Sequence, residues 1–136
     1  MSEAENREFI QELYAAVAEG NVAPLFAAMN EDFVTYEADS LPFGGEHRGL
    51  EANQRLVQSI SQYVDFTTLK MDHFLAGGDL VLALGSVVWQ GLEGDQAIEM
   101  PLGEVWEVRD RRLISSRPFY LDTAAMLTPA PKAADV

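Results

Sequence analysis

The sequence predicts a single α+β domain in which three helices of the N-terminal half pack against a strongly curved, mostly antiparallel sheet. Apolar residues recur at helical spacing in three segments within the first 60 residues. From residue 63 onward, four long segments rich in β-branched and aromatic residues are separated by short turns. Glycine and proline inside these segments, at Gly85, Pro101 and Gly103, predict the bulges or bends that a curved sheet needs.

The first two helices are predicted from apolar spacing and from residues typical of helix ends. Gly20 is a common C-terminal stop for the first helix, whose apolar residues recur every three to four positions. A second, shorter helix follows, with Asn21 as its N-cap and Pro24 in its first turn, where proline is tolerated. The residues expected to face inward are Phe9, Ile10, Leu13, Tyr14, Val17, Leu25, Phe26 and Met29.

A strand and a third helix flank a loop rich in proline and glycine. The segment DFVTYEA, residues 32–38, has the composition of a strand, and LEANQRLVQSI, residues 50–60, restores helical spacing. Along the strand, Phe33, Thr35 and Glu37 share one face because strand side chains alternate. Glu37 therefore faces the interior if Phe33 does; otherwise it ends the strand at a solvent-exposed rim.

Four strands connected by hairpins fill the second half of the chain. Their segments are YVDFTTLKMDHFLA, LVLALGSVVWQ, AIEMPLGEVWEV and LISSRPFYL, separated by glycine-containing or charged turns. In the third segment Glu104 and Trp106 share a face, although Glu104 could instead pair with Arg109 or Arg112 at the surface. The segment DTAAML can form a last helical turn.

Composition and charge limit the classes of function. The 136 residues include 22 acidic and 9 basic side chains, so the net charge of -13 would repel nucleic acids and anionic membranes. The absence of cysteine suits a reducing cytoplasm, and the polar, acidic N-terminus does not resemble a signal peptide. We expect a cytoplasmic protein without nucleic-acid or membrane partners, with one domain over residues 1–127 and a flexible tail over 128–136.

The order of these elements resembles one known fold. Helix, short helix, strand, glycine-rich loop, helix and a run of long antiparallel strands is the order in the cone-shaped α+β fold of the nuclear transport factor 2-like superfamily. LPFGGEHRGLEA is similar to the loop-and-helix entry of its SnoaL-like branch, EVWEVRDRRL to its penultimate hairpin, and FYLDTAAML to its closing strand and turn. The resemblance covers about residues 5 to 127. It implies one apolar pocket between the helices and the concave face of the sheet.

The resemblance implies acid/base roles for three carboxyl groups. Set beside the ketosteroid isomerases of this superfamily, Glu37 falls at the position of the proton-shuttling carboxylate and Glu104 near the second, proton-donating acid. Asp122 resembles the late-strand aspartate of SnoaL-like cyclases, although it could equally be the N-cap of the last helical turn. The isomerases' tyrosine on the first helix aligns with Leu13, and the neighbouring Tyr14 is expected to point about 100° away.

The function implied by the resemblance is cofactor-independent acid/base chemistry on a small apolar carbonyl compound, such as isomerisation, cyclisation or dehydration. Two glutamates in one apolar cavity would raise at least one pKa through desolvation and mutual repulsion, which tunes a base toward neutral pH. His73 alternates with apolar residues, so it is either a core histidine or a pocket residue. The full set expected to line the pocket is Tyr14, Phe26, Phe33, Phe43, His73, Trp89, Trp106 and Tyr120.

Further expectations concern metals and partners. His47 and His73 lack the spacing of a metal site, so we expect no metal ion and no cofactor. The alternative to an enzyme is a non-catalytic module that binds a hydrophobic molecule or forms dimers. The resemblance also implies a homodimer through the open sheet face, with Val88 and Val108 as markers of the outward strand faces.

Overall fold

The structure of the protein is a computed structural model that describes residues 1–130. The helices are α1 (Glu3–Ala18), α2 (Ala23–Ala28), α3 (Leu50–Ile60) and α4 (Thr123–Leu127), with a short 3₁₀ helix at Phe66–Thr68. The strands are β1 (Met29–Glu37), β2 (Gly45–Arg48), β3 (Lys70–Gly77), β4 (Leu80–Trp89), β5 (Ile98–Arg109) and β6 (Arg112–Tyr120). The predicted α+β class, with three helices in the N-terminal half, is confirmed.

The six strands form one sheet in the order β2-β1-β6-β5-β4-β3. Strand β1 runs parallel to β6, and the other neighbouring pairs are antiparallel. A bulge in β3 between Met71 and His73 interrupts the pairing with β4. Opposite the bulge, Gly85 approaches β3 so closely that a Cβ would collide with the Lys70 carbonyl oxygen. These features bend the sheet, because bulges and close-approach glycines increase local twist.

Helix α1 is held at its start by a capping box and along its length by an apolar face. The Ser2 hydroxyl accepts a hydrogen bond from the Glu5 amide at 3.1 Å, and the Glu5 carboxylate accepts one from the Ser2 amide at 3.3 Å. An N-cap of this kind contributes about 1 kcal/mol to stability. The buried residues of the helix are Asn6, Phe9, Ile10, Leu13 and Val17.

The strand predicted over residues 63–76 begins later than its composition indicates. Residues before Lys70 form the 3₁₀ helix, because the Asp65 carboxylate accepts hydrogen bonds from the Thr67 amide at 2.9 Å and hydroxyl at 2.6 Å. Such local side-chain bonds compete with strand pairing. Helix α2 also differs, since its N-cap is Val22 and the predicted cap Asn21 instead accepts a bond from the Ala23 amide.

Strand β2 was not predicted, because its residues belong to the glycine-rich loop. It pairs with β1, and Asn53 of α3 fixes the two strands to the helix. The Asn53 amide nitrogen donates to the Gly49 and His47 carbonyl oxygens at 2.8 and 3.0 Å, while its oxygen accepts from the Thr35 hydroxyl at 2.6 Å. These bonds satisfy a buried amide and set the position of α3 over the sheet.

Two buried apolar clusters stabilise the domain, one at each end of the sheet. The first packs α1 and α2 on the sheet and includes Ile10, Phe33 and Trp106. The second packs the loop after β1, α3 and α4 on the ends of β4 and β5, and includes Leu56 and Trp89. The two clusters are separate, and part of the concave sheet face lies between them.

The remaining predictions on the ends and faces of the chain have different outcomes. The first residue of the predicted tail, Thr128, is held: its carbonyl oxygen accepts from Gln96 at 2.9 Å and its hydroxyl donates to the Ala124 carbonyl at 2.8 Å. Residues 131–136 of that tail lie outside the described residues.

Val108 is fully buried in the first cluster, so it is not a marker of the outer face. No helix within residues 1–130 is long and apolar enough to span a membrane.

Candidate active site

A cavity of about 100 Å³ lies between the two apolar clusters. Its walls come from α1, α3, the 3₁₀ helix and the concave sheet face, and most of the lining is aliphatic or aromatic. The polar residues that line it are Tyr14, Thr35, Glu37, Asn53, Glu104 and Ser116. A mostly apolar cavity with a few converging polar groups is typical of a small-molecule site.

Strand register brings the two glutamates to the same part of the cavity. On the central strand, Ser116 pairs with Trp106 of β5 on one side and with Thr35 of β1 on the other. Moving two residues along β5 and β1 leads to Glu104 and Glu37, on the same face as that row because side chains alternate. The two carboxyl groups therefore flank β6 from opposite sides and both line the cavity.

Glu37 lies at the end of β1 and is only 7% exposed. Burial, and to a smaller extent the negative charge of Glu104, raise the pKa of Glu37 from its ordinary value of 4.5 to about 8. The Tyr120 hydroxyl donates a hydrogen bond to Glu37 Oε1 at 3.2 Å, which opposes these effects by stabilising the carboxylate. Near neutral pH this carboxyl can both hold and release a proton.

Glu104 belongs to a hydrogen-bonded chain of three side chains. The Trp106 indole N–H donates to the Tyr14 hydroxyl at 2.8 Å, and the Tyr14 hydroxyl donates to Glu104 Oε1 at 2.6 Å. Burial raises the pKa of Glu104, and the Tyr14 bond opposes that shift. Burial and the charge of Glu104 also raise the pKa of Tyr14, so Tyr14 keeps its proton and acts as a donor.

Tyr14 lines the cavity together with Leu13, and both belong to the face of α1 that was expected to point inward, although they lie about 100° apart around the helix. The apolar face of α1 is wide enough to include both residues, since a helix packed on a core presents a stripe at least about 100° wide. The long tyrosine side chain reaches Glu104 and packs edge-on to Trp106, with ring centroids 6.1 Å apart. This position of Tyr14 places a hydroxyl group beside the two carboxyl groups.

Phe33 and Trp106 line the cavity, as their strand positions predict, whereas Tyr120 does not. Tyr120 contacts Glu37 through its hydroxyl but lies outside the cavity wall, beside an outer groove that Glu37 also borders. Phe33 stacks on Trp106 with ring centroids 6.3 Å apart. These two rings form an apolar part of the wall beside the Tyr14–Glu104 pair.

Four other predicted pocket residues lie outside the cavity wall, for identifiable reasons. Phe43 and Trp89 are buried in the second cluster, where they pack on each other at 6.4 Å. Phe26 packs on the outside of the first cluster, while its neighbour Leu25 is the residue of α2 that lines the cavity. His73 is exposed, because the bulge after Met71 shifts the alternation of β3.

Asp122 also lies outside the cavity. It is exposed and caps α4, where its carboxylate accepts a hydrogen bond from the Ala125 amide at 3.1 Å. The sequence had left this N-cap open as the alternative to an acid/base position. A carboxylate oriented toward a helix start and solvent does not face the apolar site, so the candidate acid/base groups reduce to Glu37 and Glu104.

Sequence reasoning missed Asn53 and Ser116 as cavity residues. Asn53 carried no signal beyond its position on a helix, and its contact with β1 depends on the unpredicted strand β2. Ser116 and its neighbour Ser115 face opposite sides of β6, and only the register with β5 decides which one faces inward. Within the described range, we find no cluster of three or more His, Asp or Glu residues that could hold a metal ion.

Comparison with known proteins identifies the family. The model of the SnoaL-like domain matches residues 10–116, so the chain belongs to the SnoaL-like family. No curated protein matches the sequence. The match includes the strands that carry Glu37 and Glu104 and ends at Ser116.

Solved structures share the fold. An NTF2-like protein from Burkholderia xenovorans LB400 is 28% identical, with a TM-score of 0.79 over 93% of this chain and 95% of that chain. An NTF2-like protein from Burkholderia thailandensis E264 is 21% identical, with a TM-score of 0.80 over 95% and 100% of the two chains. TerC, co-crystallised with polyporic acid, is 19% identical, with a TM-score of 0.75 over 88% and 93%. The predicted nuclear transport factor 2-like fold is thereby confirmed.

Proposed function

We propose that this member of the SnoaL-like family catalyses proton transfer on a small, neutral carbonyl compound, with Glu37 as the base. The observation that carries the proposal is the convergence of two carboxyl groups on one apolar cavity, opposite a tyrosine hydroxyl. A base with a pKa of about 8 and a neighbouring proton donor are the two groups that enolisation requires.

In the proposed reaction, the Glu37 carboxylate takes a proton from the carbon next to the substrate carbonyl. The C–H bond breaks, a carboxyl O–H bond forms, and the electron pair makes a C=C bond while negative charge develops on the carbonyl oxygen. The Tyr14–Glu104 pair stabilises that oxygen by hydrogen bonding, provided that Glu104 is protonated. Return of the proton from Glu37 to a different carbon completes an isomerisation with no net loss of atoms or charge.

The cavity supports a substrate of about one ring. A cavity of about 150 Å³ lined by apolar side chains accommodates benzene in another protein, and the cavity here is about 100 Å³. A four-ring compound is therefore too large for it. None of the described residues that line the cavity is Lys, Arg or His, while two are glutamates. A neutral substrate is favoured, because a carboxylate or phosphate group would be buried beside acids without a cation.

The proposal is tested with cyclohex-3-enone, a neutral ring ketone whose conversion to the conjugated cyclohex-2-enone is followed by ultraviolet absorbance. We expect the wild type to accelerate this conversion, or at least to catalyse exchange of the α-protons of cyclohexanone with D₂O. Glu37→Gln should lower the rate by about 10²- to 10⁴-fold. The control Glu31→Gln changes an exposed carboxylate on the same strand and should leave the rate unchanged. An unchanged rate in Glu37→Gln would refute the proposed base.

The second candidate is a non-catalytic module in which the outer face of the sheet binds a second copy of the chain. The observation in its favour is a set of exposed apolar side chains on the outer sheet face, with Leu75 on β3, Leu84 on β4 and Phe119 on β6. Leu84 and Phe119 both lie opposite Gly103 of the intervening strand β5, and the Leu84 side chain extends over that glycine. A second copy is the favoured partner because the same set on both chains can pair apolar face to apolar face around a two-fold axis.

A further inference from the structure

Ser116 is a buried residue of the cavity wall, only 2% exposed, and its hydroxyl takes part in none of the side-chain hydrogen bonds found among residues 1–130. It is not one of the fully enclosed unpaired side-chain atoms of this range, which are Asn6 Oδ1 and Trp89 Nε1, so the Ser116 hydroxyl opens onto the cavity. The other buried hydroxyl in the cavity wall, that of Thr35, donates to Asn53 at 2.6 Å. Hydroxyl groups in protein interiors normally have a hydrogen-bond partner. A hydroxyl that opens onto a small-molecule cavity without a protein partner can take that partner atom from the ligand.

The position of Ser116 relates it to both carboxyl groups. It lies on β6, between the strands that carry Glu104 and Glu37, and one row further along the sheet. Diagonal neighbours on adjacent strands have Cα atoms roughly 7 to 8 Å apart. One small molecule can therefore accept a hydrogen bond at the Tyr14–Glu104 pair and contact Ser116 with a second group.

We propose that the Ser116 hydroxyl binds a second oxygen of the substrate, so that the site takes compounds with a hydroxyl or carbonyl group a few bonds from the enolisable carbonyl. Hydroxyketones and 1,3-dicarbonyl compounds of about one ring have this chemistry. The inference rests on the proposed function, since it assumes that the first oxygen lies at the Tyr14–Glu104 pair. It adds a specificity determinant that the acid/base chemistry itself does not require.

A purely structural role for Ser116 makes the opposite prediction for stability. If the hydroxyl served the fold, its removal would lower the midpoint of thermal unfolding. If it serves a ligand, Ser116→Ala should leave that midpoint unchanged or raise it, because no hydrogen bond within the described residues is lost. Ser115→Ala is the matched control, since Ser115 is on the same strand and faces the other side.

The test compares two neutral enol-like probes of one ring, phenol and resorcinol, which differ by one hydroxyl in the 1,3 position. Binding is measured at pH 6 by calorimetry or by NMR shifts. We expect the wild type to bind resorcinol roughly two- to tenfold more tightly than phenol, which is the effect of one additional hydrogen bond. Ser116→Ala should bind the two probes equally. Ser115→Ala should keep the preference for resorcinol.

A second variant, Ser116→Cys, preserves side-chain size while weakening the donor, and should also reduce the preference. Equal binding of both probes by the wild type, or a resorcinol preference that survives in Ser116→Ala and Ser116→Cys, would overturn the inference. In that case phenol binding that still weakens in Tyr14→Phe would leave the proposed function standing. A wild type that binds neither probe at millimolar concentration would overturn the proposed function and this inference together.

Discussion

Replacing Glu37 with glutamine should make the protein less sensitive to pH, because a raised carboxyl pKa makes folding weaker as pH rises. The pKa of Glu37 is about 8 in the folded protein against an ordinary value of 4.5. Between these values the folded chain binds one proton more than the unfolded chain. The contribution of Glu37 is therefore most favourable below pH 4.5 and is lost progressively as pH rises through 8.

The magnitude follows from the two pKa values. Between pH 5.5 and 7.5, ionisation of Glu37 should lower the free energy of unfolding of the wild type by roughly 2 to 3 kcal/mol. Glutamine has no charge to bury, so Glu37→Gln should lack most of this decrease. The side chain is only 7% exposed, so solvent screens the effect little.

The assay is urea unfolding at pH 5.5, 6.5 and 7.5 for the wild type, Glu37→Gln and the control Glu31→Gln. The stability difference between Glu37→Gln and the wild type should shift in favour of the variant as pH rises. Glu31→Gln removes an exposed carboxylate from the same strand and should follow the wild type. Parallel pH profiles for all three proteins would mean that Glu37 titrates normally and would refute the argument for a tuned base.

Three more predictions follow from single contacts. Tyr14→Phe should raise the pKa of Glu104 further, because the hydrogen bond it removes favours the carboxylate; carbon-detected NMR of the carboxyl groups measures this, and a lower pKa would contradict it. Asp122→Ala should cost about 1 kcal/mol in urea unfolding through loss of the α4 cap, and a changed titration of either cavity carboxyl would show that Asp122 acts at the site after all. Light scattering should give the wild type a mass twice its 15.0 kDa chain mass and should show Leu84→Glu to be a monomer. The control Leu92→Glu changes a similarly exposed leucine in the β4–β5 turn and should remain dimeric. A monomeric wild type would refute the outer-face dimer.

The parts of the site that could be predicted from sequence are those that depend on alternation within a single strand. Glu37 follows from Phe33 by counting in twos, and Glu104 follows from Trp106 in the same way. All four residues line the cavity, and the pairing is continuous from Val34 to Glu37 in β1 and from Leu102 to Glu107 in β5, so the alternation is kept. His73 was misplaced because a bulge shifts the alternation of β3, and a bulge cannot be located without the partner strand.

The residues that could not be predicted depend on the pairing of distant segments. Which of Ser115 and Ser116 faces the cavity is decided by the register of β6 against β5 and β1, and a shift of one residue would exchange them. Trp89 was expected in the pocket on its size and character alone. Its actual position, in the second cluster, depends on which end of the sheet α3 and α4 cover.

The polar side chains on the concave sheet face are the strongest sign that this cavity has a function. Glu37, Glu104 and Ser116 occupy inward positions on three neighbouring strands, where apolar side chains would join the two clusters into one continuous core. The raised carboxyl pKa values mean that these groups disfavour folding as pH rises above their ordinary pKa. A chain that keeps such residues at core positions gives up stability there, and local conflicts of this kind are expected at functional sites. Glu37→Gln and Ser116→Ala should therefore both be at least as stable as the wild type at pH 7.5, while each loses a different part of the proposed function.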